Sequence, residues 1–493
     1  MVERSVESSI FFPPFELKDL QFDWSGKEVE ISVSKPFEKD RTYILTIGAR
    51  AQDQRGNYLG RGFNIVFSTG AQIDTGMVAG RVYAEKAQPY TVAAFSVGHE
   101  IDTLRPSIAI PRFVTQSDDS GRYVLQGLAT GKYRLFCFDD QLRNFIYAPQ
   151  LDHYSSATHD VEVKQEGRTV DEVNFMLGIE DTSLPQLYSA DLANDGLLLL
   201  KFSEPIDTAH LKPSFFVVRD SATGDTIPVD FAARVESNEY NAVIGTQTGL
   251  QLHTKYFVTA TDSIRDIHNN QMSPHHDSVV MKPDSATARV SPYFFNFADS
   301  LKNVTRYDTL FCQFLLPTIN GIPTKPEVSL LDSSGGRMSG FVRRESSTMF
   351  GVNLRKLPSS GWYNLRLSYH ANLGGLEKDS VVNRRFSMAD STRLGEIVGR
   401  VSPVSPNRKI VVSAVARGGK VFYVLADNEG KFDLDGIPAG NYTLRAYYER
   451  GSRIKYYFGR SFPYRFAEPF GVYKDPVKVR ARWTTEGVAI EMH

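Results

Sequence analysis

The sequence predicts an all-β protein built from tandem β-sandwich domains. Aromatic residues make up 12% of the chain and are accompanied by 37 Gly and 24 Pro, a composition typical of short strands joined by tight turns. Apolar and polar residues alternate with period two in many segments, as half-buried antiparallel strands require. The length of 493 residues suggests several domains. Two sequence patterns also recur along the chain, which indicates repeated domains.

Composition and charge argue against several classes of protein. The 56 Lys and Arg residues balance 57 Asp and Glu residues, so the net charge of −1 favours no nucleic-acid partner. Apolar runs are only as long as strands, and we expect no transmembrane span in this chain. The first ten residues lack the basic and apolar regions of a signal peptide. Two cysteines exclude a disulfide framework and a cysteine-based zinc site.

The clearest repeat, called the B repeat here, occurs twice. Residues 118–138 and 427–447 align at a constant offset of 309 residues and share the order turn, strand, turn, strand. Gly121 and Gly430 are placed to supply the positive φ of a hairpin turn. In each copy a second Gly then precedes a Tyr-x-Leu strand. One domain type is therefore predicted at two places in the chain.

A second pattern, the A repeat, is represented by three copies. One copy contains Phe-Ser-Glu-Pro-Ile-Asp at 202–207, a strand at 254–260 that includes Tyr256 and an Asp-x-x-x-Asn turn at 266–270. The N-terminal region has a matching turn at 53–57, and a diverged copy lies between about 286 and 390. The repeats predict five domains in the order A, B, A, A, B, named here segment I (1–71), segment II (72–179), segment III (180–284), segment IV (285–390) and segment V (391–493).

The start of the chain falls inside the first A repeat. Aligning residues 2–11 with 206–216 leaves no counterpart in segment I for the strand predicted at 197–202. A sandwich without that strand has an open edge. We therefore interpret Met1 as an internal start or a fragment boundary, with the strand and an export signal upstream.

The motifs of the repeats resemble two known domain families. The A repeat, with its Phe-Ser-Glu-Pro-Ile-Asp opening, Asp-x-x-Gly-Asn turn and closing Phe-Ser-Thr-Gly at 67–70, resembles the bacterial SbsA-type Ig-like domain. The B repeat, through Gly-x-Val, Asp-x-x-Gly-x-Tyr/Phe and Gly-x-Tyr-x-Leu, resembles the transthyretin-like carboxypeptidase regulatory-like domain. The domain order, with Asp102-Thr-Leu-Arg-Pro in segment II, is similar to that of Bacteroidetes-type envelope lipoproteins. The resemblance implies an exported, non-catalytic protein of the cell envelope or the extracellular space.

Relatives of this kind often carry an Asp-x-Asn-x-Asn run after the Tyr-x-Leu strand, whose oxygens suit a hard cation such as calcium. Here the corresponding run, 140–144, contains Leu142 and Arg143, so a plain loop is favoured over a calcium site.

Two other strings imitate catalytic motifs. Residues 127–133 are similar to a phosphate-binding loop but are one residue short and lack its Ser or Thr. His159 and Glu162 have the spacing of a zinc-ligand pair, yet they lie in strand-like alternation without an identifiable third ligand. We expect neither a nucleotide site nor a zinc site at these positions.

The densest histidine group is formed by His268, His275 and His276. Such a group can bind a transition metal, but the sequence places no cysteine or carboxylate framework around it. A solvated loop is therefore favoured over a metal site.

Isolated sulfur and indole side chains are predicted to be structural. Cys137 and Cys312 replace apolar residues at predicted core positions, which suits inert buried thiols. Trp24, Trp362 and Trp483 are spread along the chain at or near predicted strands, and core packing is favoured over a sugar-stacking platform.

The best candidate binding region lies near the C-terminus, where Tyr, Phe and Arg are concentrated between 447 and 466. These residue types are enriched at binding sites. We predict a binding surface that contains Tyr447, Tyr448, Tyr456, Tyr457, Phe462, Tyr464 and Arg465. The basic cluster at 474–482 alternates with apolar residues and is interpreted as the solvated face of a strand.

No convincing nucleophile constellation or metalloprotease motif is found, so we predict a non-enzymatic protein without a cofactor. The predicted function is that of a structural spacer and presentation scaffold, an elongated string of sandwich domains in the cell envelope. The alternative is a glycan-binding or adhesive protein that uses exposed aromatics of the last domain. The expected partner is accordingly an envelope protein or a glycan.

Overall fold

The computed structural model describes residues 1–97, 104–149, 151–164, 168–179, 181, 183–194, 197–250, 254–273, 278–281, 291–315, 326–358, 361–373, 376–449 and 455–493. Nearly all regular structure in these residues is β-strand, so the prediction of an all-β protein is confirmed. No helix in this part of the chain is long and apolar enough to cross a membrane. Asp102, His275 and His276 lie outside the described residues.

Segment I consists of a three-stranded sheet, β1-β4-β5, and a hairpin, β2–β3. The elements are helix α1 (Glu3–Glu7), a 3-10 turn (Leu17–Asp19) and the strands β1 (Ile10–Phe11), β2 (Leu20–Ser25), β3 (Glu28–Val33), β4 (Thr42–Ile47) and β5 (Phe63–Ser68). Strand β4 serves two cores because its side chains alternate between the faces of the sheet. Tyr43 packs within segment I, whereas Ile44 joins the core of segment II.

Segment II is a sandwich in which one sheet has the order β11-β10-β7-β8, with β12 also on β10. In the other, β6 pairs with β9 and lies parallel to β13 and β14. The strands are β6 (Gly76–Tyr83), β7 (Thr91–Ser96), β8 (Phe113–Gln116), β9 (Arg122–Leu128), β10 (Gly131–Phe138), β11 (Tyr154–Ser156), β12 (Val161–Val163), β13 (Thr169–Val170) and β14 (Phe175–Met176). Gly121 has the expected positive φ of 83°, and a Cβ there would lie 2.2 Å from the Val82 carbonyl oxygen.

Segment III has two four-stranded sheets, β15-β16-β20-β19 and β18-β17-β21-β22, around a buried apolar core. The strands are β15 (Leu187–Asn194), β16 (Leu197–Phe202), β17 (Phe216–Asp220), β18 (Thr226–Ile227), β19 (Val229–Arg234), β20 (Asn241–Thr246), β21 (Tyr256–Ala260) and β22 (Ser278–Met281), with 3-10 turns at Thr208–His210 and Pro213–Phe215. The outer face of the first sheet, including Leu199 and Val243, belongs to the core of segment IV.

Segment IV pairs its strands in the orders β23-β25-β29-β28 and β24-β31-β30-β26-β27. The strands are β23 (Tyr293–Phe295), β24 (Ser300–Val304), β25 (Phe311–Phe314), β26 (Glu327–Leu331), β27 (Arg337–Met338), β28 (Val342–Arg344), β29 (Met349–Val352), β30 (Trp362–Leu373) and β31 (Leu376–Met388), with a 3-10 turn at Leu354–Lys356. Gln313 fastens this segment to segment III, because its side chain accepts from the Glu236 amide at 2.9 Å and donates to the Arg234 carbonyl at 2.6 Å.

Segment V reproduces the layout of segment II, with sheets β35-β32-β39 and β34-β33-β36-β37 and with β38 also on β36. The strands are β32 (Leu394–Ser402), β33 (Ile410–Ala416), β34 (Val421–Leu425), β35 (Lys431–Pro438), β36 (Gly440–Tyr448), β37 (Phe470–Val472), β38 (Val477–Val479) and β39 (Thr484–Glu491), after a 3-10 turn at Ser391–Arg393. Gly430 repeats the positive φ of Gly121, at 80°. Tyr307 of segment IV reaches this segment and donates to the Asp435 carbonyl at 2.8 Å.

The chain does not form the elongated string expected from the sequence, because segment V packs directly on segment II. The Ser156 amide donates to the Phe458 carbonyl at 3.0 Å, and the Ala467 amide donates to the Ala157 carbonyl at 3.1 Å. Apolar side chains from both segments share two buried clusters. The contact arises because the apolar side chains of the C-terminal aromatic region lie against a second apolar surface in the same chain.

Candidate functional site

The predicted binding residues lie at the end of β36 and in the connection that follows it. We call residues 455–469 the aromatic loop. Tyr448 points into the core of segment V, whereas Tyr447 lies on the opposite face of β36, against segment II. Both side chains are buried. Alternation along the strand therefore sends neighbouring tyrosines to different environments.

The aromatic loop covers the edge of strand β11 in segment II. Besides the two backbone hydrogen bonds to Phe458 and Ala467, the Ser156 hydroxyl donates to the Arg465 carbonyl at 2.8 Å. The Tyr464 hydroxyl donates to the Leu135 carbonyl at 3.2 Å. An exposed strand edge is a template for pairing with another chain. Here a loop of the same protein satisfies part of that edge.

Aromatic rings fill the space between the loop and the sheet. The Phe458 ring meets the Tyr154 ring edge to face, with 5.3 Å between centroids. Tyr154 in turn stacks on Phe136, with 5.0 Å between ring centroids. The Tyr464 ring lies 6.5 Å from the Phe136 ring. This cluster continues on the outer face of the segment II sheet through Ala93, Phe95, Val114, Phe138, Phe145 and Tyr147. The contact is therefore an apolar core between segments.

A buried arginine lies at the centre of this contact. Arg134 is only 4% exposed, and its Nε and Nη2 donate to the two carboxylate oxygens of Asp160 at 2.8 and 2.9 Å. Its guanidinium also lies 4.6 Å from the ring centroid of Tyr464 and 5.0 Å from that of Phe466. Burial raises the pKa of Tyr464, an effect that the Arg134 charge opposes. The phenol therefore stays protonated and keeps its hydrogen bond.

A second contact joins the outer face of the segment V sheet to segment II. Tyr447 and Phe470 share a buried cluster with Met176, and the Tyr83 and Phe470 rings meet edge to face at 5.8 Å. Tyr456 packs against this cluster. Its hydroxyl donates to the Glu468 carbonyl at 3.0 Å, and burial raises its pKa. The two contacts together enclose much of the predicted binding surface.

Part of the predicted surface faces solvent. Phe462 is 45% exposed, and Arg465 is also exposed. The Arg105 guanidinium lies 3.9 Å from the Phe462 ring centroid, in cation–π geometry. Tyr457 is half-buried. The surface that contacts most of the predicted residues therefore belongs to the same chain.

Two expectations about isolated side chains have opposite outcomes. Cys137 and Cys312 are both fully buried and free, as predicted, and burial raises the pKa of each thiol. The prediction that Trp483 packs in a core is wrong, because its side chain is 66% exposed. Trp483 lies just before β39, in a turn where Arg482 has a positive φ of 64°. Trp24 and Trp362 are half-buried.

The run at 140–144 forms a loop that Asp140 within it and Asp152 beyond it hold in place. Asp140 accepts hydrogen bonds from the Asn144 and Phe145 amides at 3.0 and 3.2 Å. Asp152 accepts from the Gln141 and Ala148 amides, each at 2.8 Å. Burial, with a smaller effect of the neighbouring Asp139, raises the pKa of Asp152 to about 6. These carboxylates cap the amides of the loop.

The expectation that no carboxylates surround His268 is wrong. The His268 Nδ1 lies 2.7 Å from Asp181 Oδ2, and the ligand atoms of Asp181, Asp266 and His268 all lie within 4.8 Å of one another. Burial raises the pKa of Glu204, and the nearby charges of Asp181 and Asp266 raise it further. These residues come from three separate parts of segment III, so no local motif could have revealed them.

The family model of the bacterial Ig-like domain matches residues 1–69 and 181–297. No curated protein matches the chain. Among solved structures, the N-terminal part of the bacterial S-layer protein SbsC shows 15% identity over 42% of this chain and 44% of that chain, with a TM-score of 0.19. The S-layer protein rSbsC(31-844) shows 11% identity over 61% of this chain and 41% of that chain, with a TM-score of 0.22.

BcpA, the major pilin subunit of Bacillus cereus, shows 12% identity over 85% of this chain and 99% of that chain, with a TM-score of 0.14. The chain spans less than half the length of the two SbsC structures above. Likenesses at this level support no conclusion about activity or partners.

Proposed function

We propose that this protein is a non-catalytic structural protein of the bacterial cell envelope or exterior, in which β-sandwich domains are coupled into a stiff frame. The observation that carries the proposal is the packing of the aromatic loop of segment V on segment II. Domains joined only by linkers move independently, whereas a large apolar interface restrains them. The contact around Arg134 packs apolar side chains of both segments together, and we propose that it restrains them.

The domain assignment belongs to the proposal. Segments I (1–71), III (180–284) and IV (285–390) are proposed to be SbsA-type Ig-like domains, and the family match to 1–69 and 181–297 supports this for the first two. Segments II (72–179) and V (391–493) are proposed to be carboxypeptidase regulatory-like domains. Their common strand order and their paired turn glycines support that part.

Chemistry in the described residues also favours a structural role. Tyrosine and cysteine groups with raised pKa values are held in packed cores, where burial keeps them protonated. Aspartates with lowered pKa values, such as Asp118 and Asp332, cap turns through backbone amides. Shifts of these kinds belong to folding and do not require catalysis.

Two experiments test the two parts of this proposal. Intact cells of the source bacterium are treated with a membrane-impermeant amine-reactive biotin, and the protein is expected to be labelled before lysis. Labelling only after lysis would contradict an exterior location. Small-angle X-ray scattering of the purified chain tests the frame, and scattering typical of freely jointed domains would contradict it.

The adhesive alternative now rests on the solvent-facing part of the aromatic loop. Phe462 and Arg465 are accessible, and exposed aromatic and arginine side chains suit contact with a sugar or a protein. We therefore propose testing F462A and R465A on a glycan array and against envelope extracts. Binding that both substitutions weaken would favour adhesion, and an absence of binding by the unaltered chain would reject it.

A further inference from the structure

Segment III contains a mixed cluster of carboxylate and imidazole groups that the proposed scaffold role does not require. We call it the His268 cluster. Its members are Asp181, Asp266 and His268, whose ligand atoms lie within 4.8 Å of one another, and Glu204 lies near enough to interact electrostatically with them. Asp181 precedes β15, Glu204 follows β16, and the other two residues belong to the turn after β21.

Backbone contacts of segment III bring these elements together. Ile206 and Asp266 form a β-bridge, and the Ile267 amide donates to the Pro205 carbonyl at 3.0 Å. These contacts place Glu204 beside the turn. The Asn270 side chain then donates to the Asp181 carbonyl at 2.9 Å and holds the start of the segment against the same turn.

Asp266 is held in one orientation. Its Oδ1 accepts from the His268 and Asn270 amides at 2.8 and 2.7 Å, and its Oδ2 accepts from the Asn270 side chain at 2.9 Å. A carboxylate offers about four acceptor positions, so one remains after these three bonds. The side chain is fully buried. Asp266 is therefore held in a fixed orientation by hydrogen bonds, as carboxylate ligands of metal sites are.

The equivalent turn in segment I shows that this turn does not itself need the cluster. Asp53 accepts from the Arg55 and Asn57 amides at 2.8 and 2.9 Å and from the Asn57 side chain at 2.9 Å. Arg55 occupies the position of His268 there. The imidazole and the two further carboxylates are therefore additions in segment III beyond what the turn requires.

We propose that the His268 cluster binds a divalent transition-metal ion, for which Zn²⁺ is the probe. One imidazole nitrogen with carboxylate oxygens suits Zn²⁺ or a similar ion better than Ca²⁺, which takes oxygen ligands. Ligands about 2.1 Å from a tetrahedral ion lie about 3.5 Å apart. The widest separation in the group, up to 4.8 Å, must therefore close by roughly 1 Å, and the 2.7 Å separation of His268 Nδ1 from Asp181 Oδ2 must open by about as much. His268 and Asp181 can make both adjustments by rotation, because their side chains are 44% and 19% exposed.

Such an ion would fasten the start of segment III to the end of β16 and to the turn after β21. It would also compensate the carboxylate charge that is concentrated there. The predicted benefit is local stiffening of a domain that is coupled to segment IV through a shared core.

Isothermal titration calorimetry of the full, tag-free chain tests this site with Zn²⁺ and, separately, with Ca²⁺. We expect one Zn²⁺ whose affinity falls at least tenfold in H268Q and in D181N. The matched control is H370Q, which removes another exposed histidine whose Nδ1 lies 2.9 Å from a carboxylate, that of Asp379. That variant should bind Zn²⁺ as the unaltered chain does.

Circular dichroism of each variant establishes that it is folded before titration. If H268Q does not fold, D181N carries the test. The proposal is overturned if the unaltered chain does not bind Zn²⁺ at millimolar concentration, or if a folded H268Q or D181N binds it unchanged. Preference for Ca²⁺ with no effect of H268Q would also overturn it.

Discussion

Replacing Gly459 by Ala should detach the aromatic loop from segment II. Gly459 has a φ of 92°, and a Cβ on it would lie 1.8 Å from the Ser156 hydroxyl oxygen and 2.7 Å from the Arg465 carbonyl oxygen. The hydroxyl can rotate away, but the carbonyl belongs to the loop backbone. The loop must therefore move. The matched control is G487A, since Gly487 has a φ of 78° with no atom within 4 Å of the added carbon.

The difference between the two variants isolates the contact between segments. Both carry about 1 kcal/mol of strain from the positive φ. In G459A the displaced loop should also lose three hydrogen bonds to segment II. Two join Ser156 to Phe458 and to Arg465, and the third joins Tyr464 to Leu135. At about 1 kcal/mol each, their loss lowers the free energy of local opening by about 3 kcal/mol.

Hydrogen exchange measured by mass spectrometry is the appropriate assay, because a five-segment chain need not unfold in one transition. A loss of about 3 kcal/mol corresponds to exchange about 100-fold faster in peptides covering 154–157 and 456–467. In G487A these peptides should exchange as in the unaltered chain. If the two variants exchange alike there, the loop does not depend on the observed contact and the reasoning is refuted.

Three further predictions follow from buried groups. Because the pKa of Asp152 is raised from 3.8 to about 6, its contribution to stability is complete below about pH 3.8 and is lost as the pH rises through 6. Hydrogen exchange, corrected for the intrinsic effect of pH, should therefore show the free energy of opening in peptides covering 140–149 falling by roughly 2 to 3 kcal/mol more in the unaltered chain than in D152N between pH 4 and 7, and parallel changes would contradict this. R134A leaves a partly buried carboxylate unpaired and should cost about 3 kcal/mol, measured as faster exchange in the aromatic loop; unchanged exchange would reject that role. Cys137 and Cys312 should both resist Ellman's reagent in the native chain and both react in guanidinium chloride, whereas a fast-reacting native thiol would contradict their burial.

Local features of the fold could be predicted because their causes are local. Gly121 and Gly430 adopt the positive φ expected of their hairpin turns, and the Tyr-x-Leu strands that follow are β10 and β36. Turn chemistry and period-two alternation act over a few residues. The burial of Cys137 was predictable for the same reason, since it occupies an inward position of an alternating strand.

Exposure at the ends of elements was harder to predict. Trp483 lies in a turn immediately before β39 and remains exposed, although an aromatic residue near a strand usually packs in a core. The side-chain direction at such a turn depends on the local backbone, here on the positive φ of Arg482. Hydrophobic character alone does not specify that direction.

The sequence by itself determined the all-β class, the two repeated patterns and the aromatic character of residues 447–466. Only the tertiary structure decided that Tyr464 meets Leu135 and Arg134, and that Asp181 and Glu204 converge on His268. The physical reason is the distance along the chain over which each effect acts. Backbone conformation and alternation follow from neighbouring residues, whereas a contact between residues some 300 positions apart depends on how every intervening sandwich packs against the next.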